Sequence, residues 1–432
     1  MNEPRDGYGL LTWVREARAR SLTLIDDLSD EQLIGPMQQI LNPMLWEIGH
    51  VAWFQERWVL RHALGREPIR ADQDEFWDSG AVEHDTRWDL ALPPRDETLA
   101  YCKAVHDSVS EVLDKSEPSP ELRAAVLLSV FHEDMHSEAF TYMRQTLEYP
   151  APSWFTKNSC PPIKDRAEGD AEVPGGSFML GALDSDSFVF DNERAAHEVR
   201  VDPFRIARVV VSEGEFERFV RDGGYGRQEL WSSAGLAWLA AKGVSGPLYW
   251  RLDGDTFERR SFDEWRPLVP DHPMMYVSWH EAQAYCKWAE RRLPTEVEWE
   301  VAAAGERDGD SLGAAQRFLP WGEQPALPDR SRVCSWGGGP CSVQAYAEGD
   351  SAFGCRQMIG NVWEWTDSTF EPYPGFEKGA IYPDYSAPWF TSRMVLRGGA
   401  WTTRGRMLRN TFRNFYQPGR RDILSGFRTC AL

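Results

Sequence analysis

Cysteine is scarce: seven residues in 432, an odd number, and nowhere spaced as CxxC. That speaks against a disulfide framework and for reduced thiols of a cytoplasmic protein. Long apolar runs are missing. None approaches the roughly 18 residues of a spanning helix, which excludes a transmembrane protein. The opening Met1-Asn2-Glu3-Pro4-Arg5-Asp6 has no basic stretch leading into an apolar core, so no secretory signal is expected. Basic charge is short as well: Lys+Arg 47 against Asp+Glu 67 leaves −20, with a pI of about 5.0. A chain this acidic is a poor partner for nucleic acid or an anionic membrane.

Aromatic side chains are abundant, with 20 Trp, 13 Tyr and 21 Phe. Dense cores account for them most simply; an aromatic pocket for a quaternary ammonium is the sharper reading. The 42% hydrophobic and 26% charged residues are ordinary for a globular protein, and 432 residues allow two to three domains.

Two periodicities divide the chain. Residues 1–148 read as long helices: about Tyr8 to Leu28, then from an Asn42 cap with Pro43 at the first helical position through Trp58. A third runs from about Asp96 to Lys115, and a fourth from Ser119-Pro120 to about Leu147. Four such helices predict an antiparallel bundle. The second and third are separated by a long stretch holding Phe76-Trp77, His84 and Arg87-Trp88, and connections of that length are often functional. Residues 149–171 read as a proline-bearing linker. From 172 to 432 the text becomes an irregular α+β domain, with short strands at 174–181 and 197–201 and helices at Ser212–Val220 and Ser278–Ala289.

The fourth helix carries His132-Glu133-Asp134-Met135-His136. Histidines at i and i+4 share a helical face with Cβ atoms about 6 Å apart, close enough for one metal ion. The five residues also spell H-E-x-x-H, the zinc-protease signature, in which Glu133 would be the base. His50 is the candidate third ligand, since an unpaired imidazole among Trp46, Trp53 and Phe54 would be costly and a bundle can aim all three rings inward. Three neutral imidazoles suit zinc, iron(II) or copper. A third ligand from an upstream helix argues against a zincin, which would want a His soon after His136 or a downstream glutamate such as Glu148.

In the second half Pro174-Gly175-Gly176 through Gly181, Val277-Ser278-Trp279, Arg292-Leu293-Pro294-Thr295-Glu296-Val297-Glu298-Trp299-Glu300, Pro320-Trp321-Gly322, Ile359-Gly360-Asn361-Val362-Trp363-Glu364-Trp365, Val395-Leu396-Arg397-Gly398-Gly399 and Gly426-Phe427-Arg428 occur in order. This series resembles the formylglycine-generating-enzyme fold, a C-type-lectin-like α+β domain. The copper-binding cysteine pair of those enzymes is absent from Ala400–Arg406, so formylglycine generation is not expected. Residues 8–148 resemble a DinB-type bundle with a histidine triad. The two modules in this order resemble the ergothioneine-biosynthesis sulfoxide synthases and the selenoneine synthases.

That resemblance implies a non-haem iron(II) held by His50, His132 and His136, with O2 as co-substrate. It implies hercynine, the trimethylammonium betaine of histidine, as the molecule joined at its imidazole C2. Tyr373 matches the tyrosine that supplies a proton or electron, Asn414-Phe415 the Asn-Trp pair lining the hercynine site, and Arg87 an arginine that grips γ-glutamylcysteine. Phe415 can still face a trimethylammonium group. Three positions depart from the γ-glutamylcysteine users: Leu90 for a second arginine, Tyr416 for an acidic residue, and Met135 for a polar one. Losing those partners suits a donor with fewer charges. The sequence therefore favours a selenosugar donor, with cysteine or γ-glutamylcysteine as the alternative. A zinc hydrolase and a lectin-like binding module are the more distant rivals.

Overall fold

The computed structural model describes residues 3–115, 117–155, 160–183, 188–322, 332–335 and 338–432. Met1-Asn2 and residues 156–159 of the stretch read as a linker lie outside them. The chain separates into two compact units, Glu3–Trp154 and Phe155–Leu432.

The first unit is helical: α1 (Gly7–Thr23), α2 (Asp30–Ile34), α3 (Met44–Gln55), α4 (Gln73–Trp77), α5 (Arg95–Lys115) and α6 (Pro120–Thr146). Helix α1 packs on α5 and α6, and α3 packs on the same two, which is the expected bundle. Ser119 caps α6 by accepting from the Leu122 amide, with Pro120 in the first turn. Helix α1 is shorter than its periodicity suggests, because the chain turns after Thr23 while Leu24, Ile25 and Leu28 stay buried. At the start of α3 the expectation fails in an informative way. Pro43 is the N-cap position, and no side chain caps the helix there; the Asn42 side chain is used elsewhere. After Gln55 the helix widens into π-helical turns over Glu56–Ala63, a geometry that is rare and concentrated at functional sites.

The second unit runs β1 (Asp170–Val173), β2 (Gly176–Leu180), β3 (His197–Val201), β4 (Phe204–Ala207), α7 (Glu213–Arg221), α8 (Ser233–Lys242), β5 (Trp250–Asp253), β6 (Thr256–Ser261), β7 (Glu264–Pro267), α9 (Trp279–Trp288), β8 (Arg291–Arg292), α10 (Glu296–Ala304), β9 (Arg307–Asp308), β10 (Ser311–Leu312), β11 (Trp363–Thr369), β12 (Met394–Arg397), β13 (Arg413–Tyr416), β14 (Ser425–Gly426) and β15 (Cys430–Ala431). One sheet has the order β1-β4-β15-β8 and another β13-β12-β11-β14, the β11–β14 pair parallel and its other pairs antiparallel. The fold class is thus a helical unit followed by an α+β unit, as the sequence predicts.

Charges from the ordered motifs are buried as pairs. On α10, Glu296 accepts from Arg397 (2.8 Å) and Arg413 (2.7 Å), while Glu300 pairs with Arg397 (2.5 Å). Glu364 of β11 pairs with Arg428 at 2.6 Å and accepts from the Trp299 indole at 2.9 Å. Such pairs fix which segments meet, since a lone buried charge would be costly. Gly398 has φ +96° and lies so close to the Met358 carbonyl that a Cβ would sit 2.6 Å from it.

Candidate metal centre and substrate residues

His50 stands mid-helix on α3; His132 and His136 stand one turn apart on α6. Their ring nitrogens gather within 4.8 Å of one another, the one metal-competent cluster of His, Cys, Asp or Glu among the described residues. The Nε2 atoms of His132 and His136 are 3.2 Å apart. Two nitrogens each about 2.1 Å from one ion, at an angle near 100°, would be separated by about 3.2 Å. The donor set fits a divalent metal.

Neighbours fix how the rings present themselves. A carbonyl only accepts, so the 2.8 Å contact from His50 Nδ1 to the Trp77 carbonyl places the proton on Nδ1 and leaves Nε2 as a ligand. His136 Nδ1 faces the buried Glu47 carboxylate, which does the same for that ring. Burial, together with the neighbouring His136, pushes His50 down to about 3, against the pull of Glu47. Burial, then His136 and His50, push His132 well below its usual value. Neutral imidazoles are the ligand form. Burial would raise the Glu47 carboxyl, but His136, His50 and Asn42 outweigh it and hold it at about 2.

The aromatic residues around His50 serve as its cradle. Trp46 stacks on it at 4.8 Å and 9°, Trp53 at 5.8 Å, and Phe54 stacks on His132 at 3.6 Å. The indoles of Trp46 and Trp53 reach out to α4, donating to the Phe76 carbonyl and to Asp74, each at 2.6 Å. That seats α4 so that its last carbonyl, from Trp77, meets His50. The Trp77 ring crosses α3 at Gly49, where a Cβ would lie 2.6 Å from it.

Arg87 comes from the long connection and is buried here. Its guanidinium lies 3.8 Å over the Trp46 ring and donates to Asn42 Oδ1 (2.6 Å) and the Val82 carbonyl (3.1 Å). Asn42 Nδ2 donates in turn to Glu47 Oε1 at 2.6 Å. Arg87 thus connects to His136 through Asn42 and Glu47, and to His50 through Trp46. Burial lowers its pKa from the usual value, against Glu47. Met135, beside His136, and Leu90 are both half-buried. Sequence reasoning missed Asn42, Glu47 and the Trp77 carbonyl; Glu47 had one visible signal, its i−3 spacing to His50 on a helix that is otherwise apolar.

Glu133 is engaged elsewhere. Its carboxylate takes both arms of Arg18, at 2.7 and 3.3 Å, and Arg18 also donates to the Cys102 carbonyl. This corrects the zinc-hydrolase alternative, whose base is locked in an interior ion pair. Glu148 is exposed and outside the histidine cluster.

In the second unit, strand alternation separates the residues on β13. Phe415 stacks on Phe370 at 4.1 Å, on the side where Arg413 lies 4.9 Å over Phe370. Asn414 and Tyr416 project from the other side. Asn414 Oδ1 accepts from the Phe415 amide, and Arg420 covers the Tyr416 ring at 5.2 Å. Tyr373, expected as the proton or electron donor, is a core residue. Its ring lies 4.0 Å from the Arg413 guanidinium, its hydroxyl donates to Glu296 at 3.4 Å, and burial raises its pKa. The tyrosine whose ring borders Phe415 is Tyr385, half-buried, at 6.0 Å.

Comparison with known proteins covers both units. The DinB superfamily pattern matches residues 14–139, and that of the sulfatase-modifying factor enzyme 1-like domain matches residues 158–431. The chain is 36% identical to the hercynine oxygenase of Mycolicibacterium smegmatis, over 95% of this chain and 96% of that one. Its identity to the hercynine oxygenase of Mycobacterium tuberculosis is 35%, with the same coverage of 95% and 96%. A formylglycine-generating enzyme of Thermomonospora curvata is 31% identical, but over 54% of this chain and 83% of its own length. Among the described residues no helix is long and apolar enough to cross a membrane. Two matched domains in one order, similarity across nearly the whole length and a preformed histidine cluster lead to one assignment: the chain belongs to the hercynine oxygenase family of oxidoreductases.

Proposed function

We propose that this enzyme is an iron(II)- and O2-dependent sulfoxide synthase that joins C2 of the hercynine imidazole to the sulfur of cysteine or γ-glutamylcysteine. The observation that carries the reading is the three-histidine cluster in a chain 36% identical, over 95% of its length, to a hercynine oxygenase. His50, His132 and His136 would hold the metal, and iron(II) when bound supplies the redox capacity to reduce dioxygen. The chain's own residues do the rest. Glu47 and the Trp77 carbonyl keep the proton off the ligating nitrogens of His136 and His50. Arg87 offers a buried positive charge for a donor carboxylate, joined to the histidines through Asn42, Glu47 and Trp46. Phe415 presents an aromatic face suited to a trimethylammonium group, Asn414 a polar edge to an imidazole, and Tyr385, in place of Tyr373, a phenol beside Phe415.

Similarity to hercynine oxygenases over nearly the whole chain supports the ergothioneine-type reading, so the selenosugar preference read from the sequence stands second. Leu90 and Tyr416 support it, because each replaces a charge that a glutamyl donor would need paired. Replacing His132 by Ala tests the metal role. Bound iron and product should both disappear while the fold persists by circular dichroism; product formation without His132 would refute the assignment.

A further inference from the structure

The iron chemistry makes no use of a second cluster, built from cysteine. Cys334 Sγ lies 2.8 Å from Cys341 Sγ, and the Cys160 thiol hydrogen-bonds with Cys341. The Tyr346 hydroxyl is 3.8 Å from Cys341 Sγ. Cys341 therefore touches two other sulfurs, that of Cys334 seven residues before it and that of Cys160 from the start of the second unit. Asn361 holds Cys341 and Cys334 in place. Its side chain accepts from the Cys341 amide (3.1 Å) and donates to the Cys341 carbonyl (3.0 Å), and its own amide donates to the Cys334 carbonyl (2.8 Å). Exposure separates them: Cys334 is 2% accessible, Cys341 0%, and Cys160 alone of the three is partly open to solvent.

We propose that these thiols form a thiol–disulfide exchange site, in which Cys160 reacts with a small-molecule disulfide and passes the oxidation inward to end as a Cys334–Cys341 disulfide. The Cys160 sulfur attacks the small disulfide RSSR, forming Cys160–S–S–R and releasing one RSH. Cys341 then attacks the Cys160 sulfur, forming a Cys160–Cys341 bond and releasing the second RSH. Cys334 attacks Cys341 and returns Cys160 to the thiol. Two protein thiols are oxidised, one external disulfide is reduced to two thiols, and the protons of Cys334 and Cys341 end on the two RSH. The order is dictated by access: the inner pair lies 2.8 Å apart but is closed to solvent. The contact with Cys341 and burial raise the Cys160 thiol above its usual range, so the first attack is slow near neutrality and quickens as pH rises.

The test uses the full, reduced chain treated with bis(2-hydroxyethyl) disulfide at fixed pH, alkylated at intervals and mapped by peptide mass spectrometry. In the unaltered chain the Cys334–Cys341 bridge should accumulate. Cys334→Ser should stop at Cys160–Cys341, Cys341→Ser should keep the adduct on Cys160, and Cys160→Ser should slow formation of the inner bridge by about tenfold or more. Cys160 is partly exposed, so its replacement by Ser tests the relay without disturbing the interior. Inner-bridge formation at an unchanged rate in Cys160→Ser, or an adduct that stays on Cys160 in the unaltered chain, would overturn the proposal.

Discussion

Glu47 and Glu133 are both buried glutamates near the same histidines, and their partners set them apart. Glu47 faces His136 Nδ1 and Asn42; Glu133 faces Arg18. A carboxylate behind a metal-bound imidazole raises ligand basicity and fixes the ring, and its loss typically costs 10–100-fold in metal affinity. Glu47→Gln should therefore weaken iron(II) binding by about tenfold or more in an anaerobic metal titration of the folded chain. Unaltered affinity would show that Glu47 does not position His136. Glu133→Gln should do the opposite. Removing one charge of the interior pair should lower stability by about 3 kcal/mol in urea unfolding, while the metal still binds with one ion per chain. Loss of metal at full stability would place Glu133 in the site and revive the hydrolase reading. Only the i−3 spacing to His50 hinted at the role of Glu47, and that of Glu133 was not legible in the residues themselves. H-E-x-x-H names the same five residues whichever way Glu133 turns, and only the packing of α1 against α6 brings Arg18 to it.

At the scale of elements, the bundle helices could be read because their apolar period, Ser119-Pro120 and Asp96-Glu97 mark them locally. Helix α4 could not, being five residues long inside a connection. It is held by side chains from α3, the indoles of Trp46 and Trp53, and by Arg61 on Asp74 at 2.6 Å. Asn42 was misread for the same reason: a good cap by type, it was drawn away by Arg87 and Glu47. In the second unit, motif order revealed the fold by resemblance, but the side-chain direction of Tyr373 depends on Glu296 and Arg413, far away in sequence. The α4 anchor carries a pH prediction. The hydrogen bond from Arg61, aided by the Trp53 indole and opposed by burial, lowers Asp74 from 3.8 to about 2. A depressed carboxyl stabilises the fold above its unfolded pKa of about 4, and that contribution is lost as pH falls through its folded value. The unfolding midpoints of the unaltered chain and of Asp74→Asn should therefore differ at neutral pH and converge as pH falls toward 2. A gap that persists unchanged in acid would mean that the Asp74 charge does not hold α4.

For the whole molecule, the histidine-bearing unit and the motif-bearing unit each match a known pattern, and full-length similarity to hercynine oxygenases joins them in one enzyme. Fold class and the gathering of three histidines were within reach of the sequence because both rest on residue types in a fixed order or spacing. Donor choice was not, since it rests on charges that are missing at Leu90 and Tyr416, and a missing charge does not say what replaces it. The central claim is that three histidines equip this chain to oxidise hercynine at C2. The most direct measurement is mass spectrometry of the products when chain loaded anaerobically with iron(II) meets hercynine, O2 and equal amounts of cysteine, γ-glutamylcysteine and a selenosugar. The account predicts an O2- and iron-dependent hercynine sulfoxide bonded carbon to sulfur at C2, from a thiol donor, and none from His132→Ala. Exclusive carbon–selenium product would keep the iron chemistry and reverse the donor. Hercynine recovered unchanged with every donor would contradict the claim itself.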